Sequence, residues 1–282
     1  MHVWKAKDGI IVSDGSRTTL VQRDWDALIN HEDLTAHLES LLPNERPGSG
    51  SGKPMQGHPP EVLAPIGTQE VWAAGVTYFR SRTARMEESK DAGGGTFYDR
   101  VYEADRPELF FKATAWRVRG PRASIRIRRD ARWNVPEPEL ALCVNARGEI
   151  VGYTIGNDVS SRDIEGENPL YLPQAKIYDG ACALGPAMLV SADPLPAETT
   201  IALRVTRAGE TAVAGETTFA QMRRDANGLV EFLYRETSFP DGCVLLTGTG
   251  VVPPEDFTLQ PGDEIRIDVP PIGTLMNVVS AR

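Results

Sequence analysis

Residues 133–163 read WNVPEPELALCVNARGEIVGYTIGNDVSSRD, and this stretch decides the fold. Leu140–Val144 and Ile150–Thr154 are apolar, β-prone runs. Asn145, Arg147 and Gly148 between them are turn residues, so the two runs read as a paired hairpin. Glu137 and Glu139 stand two apart at the start of the first strand. In an extended chain they share a side, with α-carbons about 6–7 Å apart. Asp158 closes the far end of the second strand, and the fold-back carries it toward both glutamates. Taken alone, two glutamates beside Pro136 and Pro138 are a solvated strand face. With Asp158 added, three carboxylates converge at the open end, and without a lysine or arginine between them there they repel. A hard divalent cation offsets that repulsion. Mg²⁺ suits such oxygen ligands, and Mn²⁺ is expected to substitute because the same hard donors accept it. Glu137, Glu139 and Asp158 are therefore the candidate metal ligands.

Working outward, the rest of the 282-residue chain narrows the class. The length allows one large domain or two unequal ones. Its 26 glycines and 21 prolines, set among short β-prone runs, indicate a mostly β fold with many turns. A net charge of −9 carries no basic footprint for nucleic acid. The opening MHVWKAKDG has no apolar core, so no signal peptide is expected, and no run reaches transmembrane length. Cys143, Cys182 and Cys243 are odd in number and each sits in an apolar run. That favours reduced core cysteines, so a cytoplasmic protein is expected. His2, His31, His37 and His58 all fall within the first 58 residues of the chain. A site built after residue 70 then has no histidine of its own, which argues against zinc hydrolase patterns and a Ser-His-Asp triad.

Residues 1–22 read as a hairpin, with Gly9 or Asp14-Gly15 as turns. Asp24 to Leu42 turns helical, capped by Asp24, stopped by Pro43 and open to interruption at His31-Glu32. Residues 43–60, PNERPGSGSGKPMQGHPP, have the composition of a flexible connection. The expected division is a small N-terminal α/β domain over 1–66 and a catalytic domain over 67–282. The alternative is a long surface loop within one domain. Tyr78–Ser89 is charged and reads as a helix leading into DAGGG at 91–95. That glycine run lacks GxGxxG spacing and suits a lid better than a dinucleotide loop. Further strands are expected at Leu109–Lys112, Ile125–Arg128, Thr200–Arg207, Thr211–Glu216, Glu264–Val269 and Thr274–Val279. Ala181–Val190 is expected to break at Gly185-Pro186.

GVTYFRSRTARMEES, FFKAT, VPEPELALCV, GYTIGNDVSSRDIEGENPLYLPQAK, ALGP and TGTG follow one another in an order that resembles the fumarylacetoacetate hydrolase superfamily. The likeness covers about residues 70–280. Its shared phrases look most similar to the branch of 2-keto-3-deoxypentonate dehydratases, the 2-keto-3-deoxy-D-arabinonate type. The resemblance implies an α+β, mostly β architecture: a mixed β-roll or β-sandwich catalytic domain with a small N-terminal domain. It also implies a homodimer or homotetramer and Mg²⁺ held by Glu137, Glu139 and Asp158. By the same motifs Lys176 points at the substrate, Lys112 lies near the pocket, and Thr249 of TGTG meets the substrate carboxylate. Arg162 and Asp163 then support the ligands from behind.

The carbon–carbon hydrolases of this superfamily carry a histidine in a pattern like NYxxHxxE, where it activates water. Here Ser81 falls at or near that position. Dehydration needs no attacking water, so the reading moves toward a dehydratase acting on a 2-keto-3-deoxy sugar acid, giving 2,5-dioxopentanoate from a five-carbon substrate. Lys176 is the candidate base for the C3 proton, with its pKa depressed toward neutrality beside the cation. Glu87 and Glu88 on the lid helix are the candidate acids for the C4 hydroxyl. Arg82 and Arg85 share a face of that helix by their three-residue spacing and could meet substrate oxygens. Two rival readings are an acylpyruvate-type hydrolase with a lid glutamate in place of the histidine, and a non-catalytic small-acid-binding homologue. No nucleic acid or membrane partner is expected.

Overall fold

The structure is a computed structural model that describes residues 1–44, 61–81, 83, 100–191 and 193–280. Its strands are, in order, β1 His2–Ala6, β2 Gly9–Ser13, β3 Thr18–Val21, β4 Glu70–Gly75, β5 Glu108–Thr114, β6 Val118–Arg119, β7 Ser124–Ile125, β8 Asn134–Val135, β9 Pro138–Val144, β10 Ile150–Asp158, β11 Ser160–Ser161, β12 Cys182–Leu189, β13 Thr200–Arg207, β14 Glu210–Thr218, β15 Cys243–Leu246, β16 Glu264–Val269 and β17 Gly273–Val279. A ten-stranded mixed sheet runs β3-β2-β1-β12-β10-β9-β15-β4-β5, with β6 beside β12. A second sheet runs β14-β13-β16-β17-β7, and β8 and β11 form a short pair. This is the expected mostly β, mixed-sheet architecture with a smaller α/β N-terminal region.

The central hairpin forms as read. β9 and β10 pair antiparallel, with Leu140 opposite Ile155 and Glu139 opposite Gly156. β9 is buried along its whole length because both faces of its sheet are covered. Alternate side chains point to opposite faces. Leu140, Leu142 and Val144 join the core shared with the second sheet, where Leu203, Ile265 and Ile267 lie. Cys143 faces the other way, against Trp25, Leu28 and Leu38 of the N-terminal helices. Truncating Leu142 to alanine would cost about 2–5 kcal/mol through lost burial and a cavity.

The N-terminal residues form a three-stranded meander rather than a single hairpin, using both Gly9 and Asp14-Gly15 as turns. β1 then pairs with β12, so the meander continues the large sheet. The expected helix is two: Trp25–Ile29, capped by Asp24, and Leu34–Leu41, capped by Asp33. The interruption lies at His31-Glu32, as its polarity suggested.

Two expectations are corrected. β12 continues past Gly185-Pro186 as one strand, but its ladder with β10 slips there, from Gly185 opposite Ile155 to Leu189 opposite Tyr153, so the expected break is a bulge and not a strand end. The strand expected at Ile125–Arg128 is only Ser124–Ile125, since Arg126 and Arg128 turn out to ion pairs with Asp179 and Asp130. Among the described residues no helix is long and apolar enough to cross a membrane.

Candidate active site

The open end of the β9–β10 hairpin gathers the acids. Asp158 donates its backbone N–H to the Glu137 carbonyl at 3.0 Å, which closes the ladder one step beyond β9. Glu137, Glu139 and Asp158 are all buried, and each offers a carboxylate oxygen within 4.8 Å of the others. An octahedral Mg²⁺ with bonds of about 2.1 Å spaces its ligand oxygens about 3–4 Å apart. A small inward adjustment would meet that spacing. The loop after β15 supplies one wall. Gly248 adopts φ +89°, and a Cβ there would lie 2.1 Å from Thr77 Oγ1. Glycine is needed so that its N–H can donate to Glu139 Oε2 at 2.6 Å.

The expectation that no lysine or arginine stands between the acids is corrected by the structure. Lys176 Nζ donates to Glu137 Oε2 at 2.7 Å, to Asp158 Oδ2 at 3.1 Å and to Ser160 Oγ at 2.5 Å. Lys112 pairs with Asp158 Oδ1 and donates to the carbonyls of Val159 and Lys176 at 3.1 and 2.6 Å. Arg162 Nη2 donates to Glu137 Oε1 at 2.7 Å. Arg162 follows Asp158 by four residues, while Lys112 and Lys176 lie outside the hairpin sequence. They arrive from β5, from the helix Arg162–Glu167 and from the helix Leu172–Lys176.

Glu139 is the exception. It is 1% exposed, and among the described residues no ion pair reaches it. Burial, then the charges of Asp158 and Glu137, push its carboxyl well above the ordinary range, while Lys176 and the Gly248 N–H pull it down. A buried carboxylate that lacks a paired cation, facing two others, fits a divalent ion with hard oxygen ligands. The donor set thus passes the test for Mg²⁺ on its own chemistry.

The remaining sequence candidates divide. Thr249 and Ser81 both line the cleft beside the acids. The Thr249 hydroxyl accepts the Val251 N–H at 3.1 Å, so it also shapes its own turn. Ser81 Oγ donates to the Tyr78 carbonyl at 2.8 Å and caps the chain where β4 gives way to helix. Asp163 is not brought to the cleft; its Oδ2 accepts the Arg132 N–H at 2.6 Å. Arg82, Arg85, Glu87 and Glu88 lie outside the described residues.

Three residues of the site were not anticipated. Glu165 is 2% exposed, with Oε1 3.4 Å from Lys176 Nζ and Oε2 3.6 Å from Arg162 Nε. Its three-residue spacing from Arg162, on the helix Arg162–Glu167, was the available signal. Ser160 holds Lys176 and donates to the Asp158 carbonyl at 2.9 Å. Tyr78 is buried, with no hydrogen-bond partner for its hydroxyl among the described residues. Burial and the Glu139 charge push its phenol upward. The cysteines are core residues: burial pushes the thiols of Cys143 and Cys182 up to about 12.

Size does not locate this chemistry. A groove of about 1270 Å³, lined by Trp4, Leu63, Trp116 and Met276, has no converging acids among the described residues. The acid cleft holds only about 10 Å³, near the space of one water.

A mixed β fold with this buried acid set defines a class, and the comparisons place the chain in it. The chain belongs to the fumarylacetoacetate hydrolase family: the profile described as fumarylacetoacetate (FAA) hydrolase C-terminal matches residues 71–280. Among its relatives is a probable 2-keto-3-deoxyxylonate dehydratase of Haloferax volcanii, 48% identical over 220 residues, covering 78% of this chain and 75% of that one. Another is a 2-dehydro-3-deoxy-D-arabinonate dehydratase of Saccharolobus solfataricus, 43% identical over 224 residues, with 78% and 75% coverage. A solved 2-keto-3-deoxy-D-arabinonate dehydratase complexed with magnesium and 2,5-dioxopentanoate superposes with a TM-score of 0.82 and 34% identity. That match covers 100% of this chain and 98% of the other.

Proposed function

We propose that this protein is a Mg²⁺-dependent dehydratase that converts a 2-keto-3-deoxypentonate of the arabinonate type into 2,5-dioxopentanoate and water. The observation that carries the reading is the buried Glu137–Glu139–Asp158 set, with Lys176 beside it and Ser81, at or near the position of the hydrolases' histidine, lining the same cleft. The likeness to dehydratases, one of them solved with magnesium and the proposed product, supports the substrate class.

In this reading Glu137, Glu139 and Asp158 hold the ion. When bound, it supplies positive charge to the carboxylate and C2 carbonyl oxygens of a 2-keto acid, which acidifies the C3 protons. Lys176 takes one C3 proton. The C4 hydroxyl leaves as water with a proton from Glu87 or Glu88, giving a C3=C4 double bond conjugated with the C2 carbonyl. The same carboxylate then takes a C5 proton, Lys176 returns its proton to C3, and the C4=C5 enol so formed ketonises to the terminal aldehyde. Lys112 and Arg162 hold Asp158 and Glu137 in place, and Asp163 holds the neighbouring loop. Thr249 and Ser81 meet substrate oxygens from the cleft wall, with Arg82 and Arg85 closing from the 78–89 segment. We further propose a cytoplasmic homodimer or homotetramer, with residues 1–66 as a small domain ahead of the catalytic one.

The test is direct. Purified protein is incubated with Mg²⁺ and a 2-keto-3-deoxypentonate while product carbons are followed by NMR. A five-carbon aldehyde acid, lost with EDTA, is expected. Unchanged sugar acid, with pyruvate released from an acylpyruvate in a parallel tube, would replace this reading with the hydrolase.

A further inference from the structure

Four carboxylates and three cationic side chains share one buried cluster. The acids are Glu137, Glu139, Asp158 and Glu165; the bases are Lys112, Lys176 and Arg162. Nominally ionised, they sum to one excess negative charge. A divalent cation turns that excess positive, and a substrate carboxylate then brings it to zero. The difficulty is local. Lys176 Nζ now stands between Glu137 Oε2 and Asp158 Oδ2, two of the acids assigned to the ion. A dication drawing on those carboxylates leaves a buried ammonium beside it without the partners it had, a strongly unfavourable arrangement.

Glu165 offers the way out. Its Oε1 lies 3.4 Å from Lys176 Nζ, close enough that a small rotation of the lysine side chain makes it the principal partner. Arg162, paired with Glu137, also lies 3.6 Å from Glu165 Oε2, so the carboxylate is held where the lysine can find it. We propose that Lys176 is a built-in placeholder for the cation and that Glu165 is the positioning residue that receives it when the ion binds. The proposal rests on the metal site proposed above. It assigns Glu165 a role through Lys176, not through contact with the ion or the substrate.

The test is a double-mutant cycle on Mg²⁺ affinity by calorimetry, using the full chain and the variants E165Q, K176M and the pair. In the wild-type background E165Q is expected to weaken Mg²⁺ binding by about tenfold, since Lys176 loses its alternative partner. K176M is expected to tighten binding, because no ammonium must be displaced. In the K176M background E165Q is expected to cost less than about threefold. Equal losses in both backgrounds would mean that Glu165 acts only by its field, and would overturn the proposal. A wild-type protein that does not bind Mg²⁺ would overturn the metal site and the proposal together. Circular dichroism of each apo variant separates a failure to fold, and E165D, which keeps the charge, is expected to restore most of the affinity.

Discussion

The central hairpin has two ends, and they use the same kinds of residue in opposite ways. At the turn, Arg147 Nη2 lies 2.6 Å from Glu149 Oε2, and both side chains are about half exposed. At the open end, Lys176 Nζ lies 2.7 Å from Glu137 Oε2, and both are buried. The two distances are nearly equal, but the surroundings are not. Water screens the pair at the turn, so it adds little to stability. At the open end each charge has lost its hydration, and removing one partner leaves the other uncompensated. The turn instead draws its stability from neutral hydrogen bonds. Asn145 Oδ1 accepts the N–H groups of Arg147 and Glu149 at 2.9 and 3.0 Å, and Gly148 supplies φ +78°. The comparison teaches that an ion pair of good geometry is a functional signal only where its burial makes it expensive.

The sharpest way to break this contrast is at Glu139. E139Q is expected to abolish Mg²⁺ binding by calorimetry and to lower turnover by about a thousandfold or more. Activity that survives E139Q and EDTA alike would remove the metal from the reaction. Next in size is K112M, which strips Asp158 of a buried partner. It is expected to cost about 3–5 kcal/mol, seen as a melting temperature lower by about 10 °C. A shift as small as that of a surface mutant would show that the open end is better hydrated than its burial implies.

At the turn, N145A removes the single oxygen that accepts two backbone N–H groups. A loss of about 1–2 kcal/mol in urea unfolding is expected, with kcat/KM unchanged within about twofold. A large loss of activity would mean that the two ends are coupled. The smallest effect is expected from E149Q, with a melting shift under about 2 °C that vanishes in high salt. A shift rivalling K112M would collapse the distinction between the two ends.

Much of the site was legible because its acids are local. Glu137 and Glu139 share a side by the two-residue strand period, and the Asn145–Gly148 turn sets the register that returns Asp158 to them. The β-rich class, the second hairpin Thr200–Arg207 with Glu210–Thr218, and the cap at Asp24 follow from equally short-range chemistry. What escaped is non-local. β1 pairs with β12 across more than half the chain, with His2 opposite Leu189, and no local periodicity encodes that partner. Around Pro186 the β10–β12 ladder slips between the Gly185 and Leu189 pairs, and how far the strand runs on beyond that bulge is set by its partners β10 and β1.

The sequence by itself determined the hairpin, the convergence of three acids at its open end and the hard-cation chemistry they imply. Alternation and turn geometry act over a few residues, and they suffice for this. Only the tertiary structure decided the charge balance. Lys112, Arg162, Glu165 and Lys176 come from three separate elements, and their arrival turns a repelling triad into a compensated network with Glu139 left over. Desolvation decided the rest: whether a carboxylate holds a proton, a lysine or a metal depends on how much water the surrounding strands exclude, and that is a property of packing in three dimensions.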